Sequence, residues 1–164
     1  EDEYGGSLAN RLRFIERVID VLANVIGVAR VGLRISPGNP YNDHIDATPE
    51  ATYAGLLQLA ERVGIAWVHA IRMPSTGIDS LALTRANYSG AVIGSDSYTA
   101  SEAEESIGEG RVDAVSFGRL YIANPDLVDR FKRGGPFNEM DKRTIYGGEG
   151  SAGYTDYPPL SSDA

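Results

Sequence analysis

Arg34 sits inside the apolar run Arg30-Val31-Gly32-Leu33-Arg34-Ile35-Ser36-Pro37. A guanidinium is costly to bury unless it meets an anion or a polar partner. At the C-terminal end of a barrel strand such an Arg would point into a site; the alternative is a side chain that reaches solvent or a neighbouring Asp. Two later apolar runs end in glycine-bearing stretches, Gly94-Ser95-Asp96-Ser97 and Phe117-Gly118-Arg119. Gly118 permits close backbone approach and Arg119 can pair with phosphate oxygens, although taken alone they read as an ordinary turn with a surface Arg. A carboxylate at Asp96 repels phosphate unless it turns away and the backbone alone contributes.

The remaining candidates carry less. His69 falls in the apolar run IAWVHAI and reads most simply as a hydrogen-bonded core residue, with a role in a site as the alternative, and His44 lies in a polar loop. Tyr146, before a glycine cluster, can stack over a planar ligand or anchor the tail. The sequence has no His-Glu metal spacing, no G-x-S-x-G elbow and no Walker loop, and the GGEG at 147–150 follows no strand. The acidic run around Glu102, Glu104 and Glu105 reads as the solvated face of a helix.

Helices and strands must position these residues. Gly5-Gly6-Ser7 opens a helix in which Leu8, Leu12, Ile15, Ile19, Leu22 and Ile26 recur at helical spacing, which predicts one buried face. The run at 30–37, closed by Pro37, predicts a buried strand. Thr48-Pro49-Glu50 then starts a helix that Gly64 stops. Ile65 to Ile71 and Ala91-Val92-Ile93-Gly94 predict two more strands, with a loop and short helix between 75 and 90. Thr99-Ala100-Ser101-Glu102 matches a capping box opening a helix to Gly108. Val112 to Phe117 predicts a fourth strand, and Asn124-Pro125 a cap for a final helix through Phe131. The stretch 147–164 is loop-like.

Strands apolar throughout and alternating with helices predict a parallel sheet covered by helices. Two architectures fit: an open doubly wound sheet, or part of a (β/α)8 barrel, which needs about 250 residues. In the barrel, the last two strands would be its seventh and eighth, whose loops often build a phosphate site.

Composition bounds the setting. At 164 residues with 42% hydrophobic content, the length prior is a single domain over 1–164 with a core. A net charge of -8 argues against a general nucleic-acid or anionic-membrane partner. Without cysteine there is no disulfide, no thiolate-held zinc and no cysteine-ligated iron–sulfur cluster. No apolar stretch is long enough to span a bilayer, and the acidic start lacks the parts of a signal peptide, so a cytoplasmic location is expected.

Three segments together resemble the Old Yellow Enzyme family of FMN-dependent ene-reductases, in particular its alkene and xenobiotic reductases. They are Asp2-Glu3-Tyr4-Gly5-Gly6-Ser7 with Asn10-Arg11 and Arg13-Phe14; Phe117-Gly118-Arg119 with Ile122-Ala123-Asn124-Pro125-Asp126-Leu127; and Tyr146-Gly147-Gly148 with Gly153-Tyr154-Thr155-Asp156-Tyr157-Pro158. The resemblance implies the C-terminal half of a (β/α)8 barrel, strands five to eight with their helices. It implies that Arg34 contacts the flavin near N1 and the C2 carbonyl, and that Gly118 and Arg119 hold the FMN phosphate. Backbone from Gly94, Ser95 and Asp96 joins them, and Tyr146 lines the substrate mouth. The family pattern usually has small residues and glycine where this chain has Ser95-Asp96-Ser97, and the stretch between the second and third strands is short for it.

The implied chemistry is reduction of FMN by NAD(P)H, followed by hydride delivery to the activated C=C bond of an unsaturated carbonyl or nitro compound. The family's substrate-holding His pair and proton-donating Tyr belong to its N-terminal half. The expectation is therefore a chain that is complete only with a complementary N-terminal half-barrel, or that self-associates, and takes a small enone as substrate. The alternative is a catalytically silent half-barrel that binds flavin or phosphate, or serves as an assembly module. A multidomain dienoyl-reductase with an iron–sulfur cluster is disfavoured by the lack of cysteine.

Overall fold

Helix and strand alternate along Glu1–Ser116, the first of two compact units, in the order the sequence predicts. The computed structural model describes residues 2–147 and 150–161; Gly148 and Glu149 of the GGEG cluster, and the last three residues of the tail, lie outside the described residues. Ser7 caps α1 (Leu8–Ile26) by accepting from the Asn10 amide. Of the six apolar positions expected to be buried on α1, only Ile19 is fully so. Leu8 and Leu12 lie against Gly55 of α2 (Pro49–Val63), whereas Leu22 and Ile26, beyond that contact, are exposed. The predicted face is thus covered over part of its length.

Four parallel strands follow in sequential order: β1 (Gly32–Ile35), β2 (Trp67–Ile71), β3 (Ala91–Ser95) and β4 (Ala114–Ser116). Side chains of a strand alternate between faces. Val68, Ala70, Val92 and Gly94 are buried on the face covered by α2, α3 (Ser80–Asn87) and α4 (Ala100–Gly108), with Leu57, Leu59 and Leu81. Gly32, Arg34, Trp67, His69, Ile93, Ser95, Ala114 and Ser116 occupy the other face, where Arg34, Trp67 and Ala114 are exposed.

Helix boundaries follow local chemistry. Gly64 takes the left-handed conformation that ends α2, with its amide on the Ala60 and Glu61 carbonyls. Thr99 and Glu102 form the predicted capping box on α4. The fourth strand is shorter than predicted, because the Val112 amide still reaches back to the Ser106 carbonyl at 3.3 Å and Asp113 caps the ladder, accepting from the Val92 amide at 2.7 Å.

The second unit, Phe117–Ala164, corrects one expectation. Asn124 does not cap the final helix. A helix not foreseen, α5 (Arg119–Ala123), precedes it, and the buried Asn124 closes α5, donating to the Leu120 carbonyl at 2.8 Å and accepting from the Asn138 amide at 2.7 Å. The last helix, α6 (Leu127–Arg133), starts beyond Asp126. Arg130, 2% exposed, gathers this unit: it donates to Asp126 Oδ1 (2.5 Å), the Pro136 carbonyl (2.6 Å) and the Pro158 carbonyl (2.8 Å). Asp126 Oδ2 accepts from the Leu160 amide at 2.6 Å, so one ion pair ties helix to tail. Residues 147 and 150–161 form turns and irregular chain.

Candidate functional site

Arg34 projects from β1 on the face opposite the helices and is exposed. Its partner is His69 on β2, directly in register with it. Arg34 Nη1 lies 2.8 Å from His69 Nδ1 and 3.0 Å from Nε2. His69 Nε2 is 2.8 Å from Ser116 Oγ on β4, and Ser116 in turn donates to the Gly94 carbonyl at 3.5 Å. The half-buried His69, read from sequence as a core residue, therefore belongs to the same polar row as Arg34. Its pKa is pushed below the ordinary histidine value, first by burial and second by the Arg34 charge. A neutral imidazole leaves the guanidinium charge uncompensated, and among the described residues no carboxylate pairs with it.

The loop from β3 to α4 owes its shape to Arg72, which the sequence reading did not single out. Arg72 donates to the carbonyls of Asp96 (2.8 Å) and Ser97 (2.5 Å), pairs with Glu102 at 3.1 Å, and lies 3.7 Å over the Tyr98 ring. Asp96 and Ser97 both have positive φ, 81° and 54°, which non-glycine residues hold only when neighbours enforce it. Arg72 supplies that enforcement through both carbonyls. The Glu102 carboxyl is held below its usual range, first by the Thr99 amide and next by Arg72. Arg72 carries the same signal in the sequence as Arg34, a cation adjoining an apolar strand.

Among the other expected positions, Ser95 is buried, its carbonyl accepting from the Arg72 amide at 2.9 Å. Gly94 turns its bare side to the helix layer, where a Cβ would come within 2.7 Å of the Tyr98 hydroxyl and 3.1 Å of Val112. In the second unit, Gly118 opens α5 and its carbonyl accepts from the Tyr121 and Ile122 amides. It is exposed, with open space where a Cβ would stand. Arg119, also exposed, is the first residue of α5, and Tyr146 is 98% exposed. The structure thus joins Arg34 to His69 and Ser116, and places Gly94 and Ser95 at the end of β3 with Asp96 following on the Arg72-held loop. No group of three His, Asp or Glu suited to a metal ion occurs among the described residues, and no described helix is long and apolar enough to cross a membrane.

Comparison with known proteins places these features in context. Residues 1–138 match the family described as NADH:flavin oxidoreductase / NADH oxidase. Among curated relatives, 12-oxophytodienoate reductase 2 of Arabidopsis thaliana is 38% identical over 99% of this chain and 46% of its own length. A probable flavin mononucleotide-dependent alkene reductase of Leishmania infantum is 42% identical over 96% of this chain and 43% of its own. Among solved structures, morphinone reductase in complex with tetrahydroNAD superposes with a TM-score of 0.90 at 40% identity, covering 99% of this chain and 44% of that one. The old yellow enzyme from Trypanosoma cruzi gives 0.89 at 38% identity, with 98% and 44% covered. The chain spans about half the length of the relatives it matches.

Proposed function

Because this chain belongs to the NADH:flavin oxidoreductase / NADH oxidase family, which is the Old Yellow Enzyme family, we propose that it is the C-terminal half of an FMN-dependent ene-reductase barrel. On this reading it supplies the flavin-contacting cation and phosphate-holding groups, and works with a complementary N-terminal half. FMN is the family's cofactor and NAD(P)H its reductant. When bound, FMN supplies hydride transfer between NAD(P)H and the activated C=C bond of a small enone or nitroalkene.

The residues present fit a flavin. The observation that carries the reading is Arg34: an exposed guanidinium on the open face of the sheet, held by an imidazole and, among the described residues, paired with no carboxylate. Such a cation stabilises negative charge at a ring nitrogen and carbonyl without reorganising first. Ile93, in register with His69 on the same face, adds apolar surface suited to a planar ring. Gly118 and Arg119 are assigned to phosphate, the glycine leaving room for an approaching oxygen and the Arg supplying charge. Gly94, Ser95 and Asp96 enter the reading through their main chain, held by Arg72, and Tyr146 as an exposed aromatic at the substrate mouth.

The test is an absorption titration of the purified chain with FMN, alone and after mixing with the N-terminal half of a relative, with size-exclusion chromatography of both samples. A perturbed flavin spectrum, together with a complex of the two halves that oxidises NAD(P)H in the presence of an enone, is expected. Failure to bind FMN in either sample would overturn the reading.

A further inference from the structure

The Arg34–His69–Ser116 row carries an inference that rests on the flavin reading but concerns a residue that reading leaves without a role. A guanidinium has donors and no acceptor, so its bond to His69 requires a ring nitrogen with a free lone pair. Ser116 Oγ donates to the Gly94 carbonyl, which leaves its lone pair to accept from the other ring nitrogen. Arg34 Nη1 lies 2.8 Å from Nδ1 and 3.0 Å from Nε2, and Nε2 lies 2.8 Å from Ser116 Oγ; the tautomer that serves both neighbours has Nδ1 accepting from Arg34 and Nε2 donating to Ser116.

We propose that His69 is the positioning residue for Arg34, its Nδ1 accepting from the guanidinium while Ser116 fixes the ring, and that protonation of the imidazole releases the cation from its place on the open face. A protonated ring has donors at both nitrogens and presents its own charge to Arg34 at hydrogen-bond distance, so the bond is lost and replaced by repulsion. Among the described residues of the first unit, the ring is faced by Arg34 on β1, Ile93 in register on β3 and Ser116 on β4. Arg34 is the charged group among them. Burial and Arg34 both disfavour the charged imidazole, so the arrangement holds at neutral pH and opens on acidification.

The chain has two histidines, His44 and His69, so the ring nitrogens can be assigned by one substitution. Long-range proton–nitrogen NMR of the 164-residue chain without flavin tests the arrangement directly. Expected are the Nε2–H tautomer for His69, an Arg34 side-chain signal that shifts as His69 titrates, and a higher His69 midpoint in Arg34→Leu. The Nδ1–H tautomer, or a titration indifferent to Arg34→Leu, overturns the proposal whether or not FMN binds. Where FMN binds, His69→Leu weakens it about threefold to tenfold, the effect of one lost hydrogen bond. His69→Gln, which keeps an acceptor, restores most of the affinity and abolishes its loss at acidic pH. No FMN binding to any variant, with the NMR result intact, counts against the flavin reading alone.

Discussion

Gly32 and Trp67 are partners in the β1–β2 register, and the indole of Trp67 fills the volume that a Cβ on Gly32 would need. The glycine is therefore a packing requirement of the open face. Gly32→Ala forces the indole away or strains the β1–β2 pairing, with an expected loss of about 1–3 kcal/mol, as for other overpacked sites. Trp67 is the chain's single tryptophan, so its fluorescence reports both the displacement and the urea midpoint. An unchanged emission maximum and midpoint would show that the indole does not rest on Gly32.

The capping box at α4 separates two contributions. Thr99→Ala removes the acceptor for the Glu102 amide and should destabilise the chain by about 1 kcal/mol. Glu102→Gln retains an oxygen for the Thr99 amide but loses the ion pair with Arg72, whose partner side chain is 46% exposed, so its effect should be smaller. Chemical denaturation of the two variants gives that order; the reverse order would mean that Arg72, not the cap, holds the helix start.

Arg130 is the group in the second unit least tolerant of change. Its removal leaves Asp126 and the Pro136 and Pro158 carbonyls without their donor. Because Arg130 is buried and these acceptors lose their donor together, the substitution is strongly destabilising for this unit. Arg130→Ala should expose the tail to limited proteolysis near residues 150–161 while the first unit keeps its Trp67 emission. A protease-resistant tail would place its anchoring elsewhere.

Asp141 accepts from Arg143 Nε (3.0 Å), Nη2 (2.8 Å) and the Arg143 amide (2.9 Å). These bonds, the side-chain ones foremost, hold its carboxyl down at about 2. With the folded pKa below the unfolded value, the unfolded chain binds the proton first, so the contribution is present above about pH 4 and fades as pH falls through 2. Both side chains are accessible, so the effect on stability is small. Carboxyl carbon shifts in the range from pH 5 to 1.5 should show the low midpoint, and Arg143→Ala should return it to the ordinary aspartate range. A midpoint that Arg143→Ala leaves in place would refute the assignment.

What the sequence determined by itself is local or periodic. The Ser7 cap and the Thr99–Glu102 box depend on residues three apart, and the strands announce themselves as apolar runs between breakers. The chemical candidate Arg34 was legible for a similar reason, since a charge in an apolar strand is anomalous wherever the strand goes. Asn124 misled because Asn-Pro before an apolar run is a genuine cap signal, yet its side chain is spent on Leu120 and Asn138. The tertiary structure alone decided which partners the anomalies meet. His69 lies 35 residues from Arg34 and 47 from Ser116, and Arg72 reaches 24 to 30 residues to shape the β3–α4 loop. Such pairings follow from parallel register and from which face each strand position takes, and register is a property of neighbouring strands that no single segment contains.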